Sequence, residues 1–260
     1  MKLPIYQIDA FTGKVFAGNP AAVCPLESWL DDKTLQSIAA ENNLSETAFF
    51  VPKGDAYEIR WFTPGIEVEL CGHATLASAH VIFNYLGYKN DVIRFETRKS
   101  GELTVRKEGD LLSMNFPSSK PTPVPCPGDL TRALRIEPVE VLKSSAYLAI
   151  FESEDQVRSL KPDFPILNEL DAYAVIVTAK GKTVDFVSRF FAYKIGIPED
   201  PVTGSAHCTS VPYWSEKLGK TKLHALQVSE RGGELFCEDL GDRVKISGRA
   251  VQYLIGQIDI

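Results

Sequence analysis

Apolar and polar side chains alternate through residues 57–62, where Tyr57, Ile59 and Trp61 are interleaved with Glu58 and Arg60. That period of two predicts a strand with one buried face. Strands are also expected at 4–10 and 48–52. After Asp31 the period lengthens, and Leu35, Ile38 and Ala39 fall on one face of a helix. From about 73 to 86 the apolar positions (Ala74, Leu76, Ala77, Ala79, Val81, Ile82, Phe83) surround the axis, which predicts a buried helix stopped by Gly87. Strands are expected next at 92–97, 102–107 and 111–116, the last two joined by a Glu-Gly-Asp turn. The proline-rich stretch Pro117 to Pro127 reads as a crossover. Beyond it strands are expected at 146–151, 173–178 and 184–191, then a buried helix at about 205–218. Strands at 223–229, 234–238 and 243–247 complete the pattern. Pro212 falls inside the second buried helix and is expected to kink or weaken it.

The two stretches resemble each other at one constant offset. Shifting by 132 residues carries Cys71-Gly72-His73-Ala74 onto Thr203-Gly204-Ser205-Ala206, and Leu86-Gly87 onto Leu218-Gly219. The same shift carries Gly101-Glu102-Leu103 onto Gly233-Glu234-Leu235, Gly109-Asp110 onto Gly241-Asp242, and Glu67 onto Glu199. Several matches are glycines at turns, where backbone geometry selects the residue. One offset through separate motifs reads as an internal duplication. The expected halves are 1–116 with 249–260, and 117–248, the final strand near 250–258 returning to the first half. The architecture expected is a helix wrapped by a mostly antiparallel sheet, made twice.

Composition narrows the class. The chain has 260 residues, 44% hydrophobic and 24% charged, with a net charge of −6. Those are the proportions of a folded globular protein and exclude intrinsic disorder. A pI near 5.4 argues against binding nucleic acid through bulk charge. The opening Met-Lys-Leu-Pro-Ile-Tyr-Gln-Ile-Asp does not read as a signal peptide. The least polar helical stretch, Leu70 to Phe83, carries two histidines and is too short to span a bilayer. Five scattered cysteines (24, 71, 126, 208 and 237) with no C-x-x-C pair argue against a disulfide framework or a structural zinc site, and a reducing cytoplasm is expected.

Candidate chemistry sits at the helix starts and one loop. Cys71-Gly72-His73 and Thr203-Gly204-Ser205 open the two buried helices, and a helix N-terminus offers free N–H groups to a carboxylate or phosphate. The glycines also read simply as tight strand-to-helix turns. Glu46, in Asn43-Leu44-Ser45-Glu46-Thr47 before the apolar run Ala48-Phe49-Phe50-Val51, reads either as a solvated loop glutamate or as a general base with proton affinity raised by desolvation. His73 could move a proton or simply be hydrogen-bonded, and Asp200 before Pro201 fits a cap or turn equally well. Cys71 could be a reactive thiolate. His80, His207 and His224 have no partner at metal-ligand spacing, and neither a P-loop nor a G-x-G-x-x-G occurs, so no metal and no cofactor are expected.

Taken together, the motifs resemble the phenazine-biosynthesis (PhzF-like) isomerase family, which has the diaminopimelate epimerase-like fold. They are Gln7-Ile8-Asp9-Ala10-Phe11, Gly18-Asn19-Pro20-Ala21-Ala22-Val23, Asn43-Leu44-Ser45-Glu46-Thr47-Ala48-Phe49, Phe62-Thr63-Pro64, Cys71-Gly72-His73-Ala74-Thr75, and Asp200-Pro201-Val202-Thr203-Gly204-Ser205-Ala206. The resemblance implies an α+β fold of two pseudo-symmetric domains. Each would be a β-barrel-like, mostly antiparallel sheet around a central helix, with the active site in the cleft between the halves. It implies a cofactor-independent isomerase. In the phenazine enzyme a glutamate moves a proton within a cyclic dihydro-hydroxyanthranilate. By resemblance that glutamate is Glu46, assisted by His73 and Asp200, with Ser45, Gly72, Gly204 and Ser205 against the substrate. The expected partner is a small-molecule carboxylate, not nucleic acid or a membrane, and a homodimer is expected. The epimerase relatives use a cysteine at each helix start. Here Thr203 stands at the second, which argues against two-base epimerisation and leaves Cys71 outside a single-glutamate mechanism. The competing reading is a member without turnover that binds a carboxylate metabolite or a protein.

Overall fold

In the computed structural model, which describes residues 1–260, contacts divide the chain into two units. The first is Met1–Asn115 with Ser247–Ile260 and the second Phe116–Ile246. The chain runs through β1 (Lys2–Ala10), β2 (Asn19–Pro25), α1 (Asp32–Asn42), β3 (Glu46–Lys53), β4 (Ala56–Phe62), β5 (Glu67–Val68), α2 (Gly72–Tyr85), β6 (Val92–Glu96), β7 (Glu102–Glu108) and β8 (Leu111–Pro117). It continues through β9 (Thr122–Pro123), α3 (Gly128–Leu134), β10 (Glu140–Lys143), β11 (Tyr147–Ile150), α4 (Glu154–Ser159), α5 (Phe164–Asn168), β12 (Val175–Lys180), β13 (Phe186–Ala192) and β14 (Ile197–Asp200). The last elements are α6 (Gly204–Leu218), β15 (Lys222–Gln227), β16 (Gly233–Asp239), β17 (Arg243–Gly248) and β18 (Ala250–Asp259).

The first unit is one sheet in the order β18-β1-β2-β3-β4-β6-β7-β8, with β5 added on β4. All pairings are antiparallel except β2–β3 and β4–β6. The second unit repeats this order as β9-β10-β11-β12-β13-β15-β16, with β14 on β13 and parallel pairings at β11–β12 and β13–β15. This is an α+β fold made twice, with the parallel joints in equivalent places. In the first unit α2 touches β1, β2, β3, β7 and β18, so the sheet curls around it. Residues 73–79 of that helix are all buried, which explains its lack of a polar face.

β2 is absent from the pattern of alternation, and its surroundings say why. Cys24 lies in register with Phe49 of β3, and both pack with Leu35, Ile38 and Ala39 of α1. Ala21, in register with Glu46, lies on the other face by the alternation of a strand. A strand covered on both sides needs no polar face. The short α3, α4 and α5 were likewise not anticipated. They bring Leu130, Leu134, Val157 and Leu167 onto Val177, Val187 and Phe191, and one or two helical turns give too few positions to show a period.

The match of Glu67 to Glu199 has a structural meaning. Arg60 of β4 grips Glu67 with two hydrogen bonds of 2.7 Å, and its guanidinium lies 4.9 Å from the Phe62 ring centre. In the second unit Arg189 of β13 grips Glu199 at 2.7 and 2.9 Å, with its guanidinium 4.9 Å from Phe191. Each pair clamps a sheet strand to the short strand before the central helix.

α6 runs from Gly204 to Leu218 without a break, although Pro212 lies inside it. Proline removes the N–H that would bond the carbonyl four residues back. That carbonyl belongs to Cys208, and it accepts instead from the Ser119 N–H at 3.0 Å. The expected weakening is therefore offset by a hydrogen bond from the proline-rich crossover. Ser119→Pro removes this donor, and a loss of about 1–3 kcal/mol in urea denaturation is expected, the cost of orphaning a buried acceptor.

His207 on α6 is fully buried, with Nδ1 2.8 Å from the Thr203 carbonyl, and burial pushes its pKa down to about 4. Below pH 6.5 the unfolded chain takes up a proton that the folded chain refuses. Stability therefore falls as the pH drops from about 6.5 toward 4. The loss from this residue approaches about 3 kcal/mol. In denaturation at pH 7 and 4.5, His207→Gln should flatten the slope; part remains, since His80 is also pushed down to about 4.

Candidate active site

Three separate elements deliver Glu46, His73 and Asn19 to one place. α1 opens on Asp31, whose carboxylate accepts from the Thr34 N–H at 3.0 Å. It closes on Asn43 in the left-handed region, with φ of 49°. Asn42 then bonds Thr47 at 3.1 Å, tying the helix end to β3. Glu46 therefore leads β3 on the face opposite α1. Cys71 is the extended residue before α2, and Thr75 closes onto its carbonyl through backbone N–H and hydroxyl at 3.1 and 2.6 Å. His73 follows in the first turn. Asn19 opens β2, the parallel neighbour of β3.

His73 Nε2 lies 3.1 Å from Glu46 Oε2, with side-chain exposures of 7% and 12%. The angle is not that of a hydrogen bond, so both atoms are buried without a hydrogen-bond partner. At the other edge of the ring, Nδ1 lies 3.2 Å from Asn19 Nδ2 and 3.5 Å from Cys71 Sγ. The Cys71 sulfur, a Glu46 carboxylate oxygen and an imidazole nitrogen all lie within 4.8 Å of one another, a spacing that could also hold a metal ion.

The electrostatics reverse one expectation. Burial alone pushes the Glu46 carboxyl up, but the charge of His73 beside it, with the Cys71 thiol, outweighs burial and holds the group below its ordinary value. Burial disfavours the His73 cation, yet Cys71 and Glu46 beside it hold its pKa well above the ordinary value. Burial and the Glu46 charge push the Cys71 thiol up. The arrangement is a carboxylate ready to accept a proton, beside an imidazole able to carry one.

The other expected site residues fall as follows. Ser45 is half-buried beside Glu46, and Gly72 precedes His73 at the start of α2. Gly204 and the exposed Ser205 open α6 in the second unit. Asp200 ends β14, where its carboxylate accepts from the Thr203 hydroxyl. Thr203 donates its N–H to Gln227 Oε1 at 2.8 Å, and Gln227 Nε2 donates to the Asp200 carbonyl at 2.8 Å. Cys71 and Thr203 take the same extended conformation before their helices, with φ/ψ of −142/109° and −119/108°. Asn19 was visible only as part of the Gly18-Asn19-Pro20 motif; nothing in sequence spacing joins it to a residue 54 positions away. Cavities of about 340 and 160 Å³ flank Arg60 and Arg98 and include none of these residues. No helix is long and apolar enough to cross a membrane.

A sheet-wrapped helix made twice, with a carboxylate beside an imidazole at one helix start, is the diaminopimelate epimerase-like fold. The protein is an isomerase of this fold. It belongs to the phenazine biosynthesis-like (PhzC-PhzF) family, whose model matches residues 8–256. An uncharacterized isomerase of Pseudomonas aeruginosa is 52% identical over 260 residues, covering 100% of both chains. The crystal structure of a phenazine biosynthesis protein of the PhzF family from Enterococcus faecalis superimposes with a TM-score of 0.98, at 45% identity and 100% coverage of both chains. A hydroxyproline epimerase from Agrobacterium vitis shares the fold alone, with a TM-score of 0.60 at 11% identity, over 99% of this chain and 92% of its own.

Proposed function

We propose that the protein moves a proton within a small, cyclic carboxylate without a cofactor, using Glu46 as the general acid/base. The observation that carries this reading is the buried Glu46 Oε2, 3.1 Å from His73 Nε2, both atoms lacking a hydrogen-bond partner. Polar atoms left unsatisfied in a buried site favour a ligand that supplies the missing bonds. In the proposed reaction the Glu46 carboxylate takes a proton from one carbon of the substrate as a double bond shifts. The resulting carboxylic acid returns the proton to another carbon, so no electrons are gained or lost. His73 stabilises the negative charge that moves between carboxylate and substrate. As the family resemblance implies, Ser45, Gly72, Gly204 and Ser205 contact the substrate and Asp200 assists. The same reading includes a homodimer in the cytoplasm, which light scattering of the purified protein and cell fractionation test.

The reaction is tested by incubating the protein in D2O with dihydro-hydroxyanthranilate and a panel of cyclic carboxylic acids, followed by proton NMR. Deuterium entering one carbon as a double bond moves is the expected result. An isomerisation that requires an added metal or organic cofactor would overturn the reading.

A further inference from the structure

We propose that Asn19 is a positioning residue: its side-chain amide holds the His73 ring by Nδ1, so that Nε2 faces the Glu46 carboxylate. This rests on the reading of Glu46 and His73 as the acid–base pair. Asn19 is fully buried, and its amide nitrogen stands 3.2 Å from Nδ1. The backbone is built to deliver it. Gly18 precedes it at φ of +67°, and a Cβ there would stand 2.2 Å from the Ala10 carbonyl oxygen. Only glycine lets the chain turn into β2 at this point. β2 then runs parallel to β3 with Ala21 opposite Glu46, so Asn19 and Glu46 approach the ring from neighbouring strands.

The chemistry supplies the reason. An imidazole turned over about its Cβ–Cγ bond exchanges nitrogen and carbon at each edge. The carboxylate would then face a C–H in place of Nε2. Cys71, 3.5 Å from Nδ1, is a weak hydrogen-bonding group and a poor anchor by itself. A side-chain amide has both a donor and an acceptor end. It can bond Nδ1 when that nitrogen is bare and, rotated, when it carries a proton. Asn19 therefore holds the ring through both protonation states that a proton relay visits. Glu46 from β3 and Cys71 at the start of α2 are the titratable groups that face this ring.

The test reads the ring directly. The whole protein is labelled with 15N-histidine, and the four imidazoles are followed by long-range 1H–15N correlation, His73 being assigned with His73→Asn. In Asn19→Leu the His73 nitrogen signals should shift or split, while those of His80, His207 and His224 stay in place. Asn19→Asp, which keeps the shape, should hold the proton on Nδ1 to higher pH than in the unmodified protein. His73 signals in Asn19→Leu identical to wild type would overturn the proposal. If that variant does not fold, an unchanged Nδ1 titration in Asn19→Asp overturns it. Neither measurement uses turnover. Failure of the Glu46 mechanism would appear in the D2O reaction, and failure of the Asn19 role in these spectra.

Discussion

Glu46→Gln should lower turnover by about 10²–10⁴-fold on any substrate the protein isomerises, the span that general acid–base catalysis contributes. Glutamine keeps the shape of the side chain and can still sit beside His73, so fold and ligand binding should survive. It cannot take a proton from carbon. The loss should therefore fall on kcat, with KM little changed, and deuterium uptake from D2O should vanish with it. Pairing with His73 holds the Glu46 pKa below the ordinary glutamate value. Activity governed by this base should accordingly persist into mildly acidic solution and fall only as Glu46 becomes protonated. Turnover in Glu46→Gln equal to wild type would remove the proposed mechanism.

Glu67→Leu should destabilise the fold by about 3–5 kcal/mol, the range for breaking a buried ion pair. The asymmetry of the pair sets this direction. Arg60 is only 2% exposed, whereas its two partners Glu67 and Asp32 are 30% and 71% exposed. Removing Glu67 leaves a buried guanidinium with one solvent-facing carboxylate, and the residual bond to Asp32 places the cost at the lower end of the range. Arg60→Met removes the buried charge itself and leaves carboxylates that reach water, so a smaller loss of about 1–3 kcal/mol is expected. The double variant, with apolar groups of similar size, should be less destabilised than Glu67→Leu alone. Urea denaturation of the three proteins decides the order. Equal losses in both single variants would show that the guanidinium is better solvated than its burial indicates.

Much of the fold could be read from local pattern. The alternation at 57–62, the one-sided helix after Asp31 and the apolar helix before Gly87 each depend on contacts within a few residues. All three are present as β4, α1 and α2. The constant offset located the matched helix starts at Gly72 and Gly204 and the clamp glutamates Glu67 and Glu199, because glycine turns and charged clamps admit few residue types. β2 and the short helices of the second unit were not legible. A strand buried on both faces has no alternation, and one helical turn has no period.

For the candidate site, the sequence by itself determined that Glu46 and His73 lie in distinctive motifs at the edges of apolar elements. It also determined that Thr203 replaces a cysteine at the second helix start. Only the tertiary structure decided that Glu46 and His73 meet, that the imidazole reverses the effect of burial on the carboxyl, and that Asn19 backs the ring. It also decided that Pro212 is accommodated, through the N–H of Ser119. Each depends on groups brought together from separate strands, helices and loops. Proton affinity in a buried site is set by the charges and dipoles within a few ångströms. Those distances are made by parallel strand pairing and helix placement, neither of which residue spacing along the chain encodes.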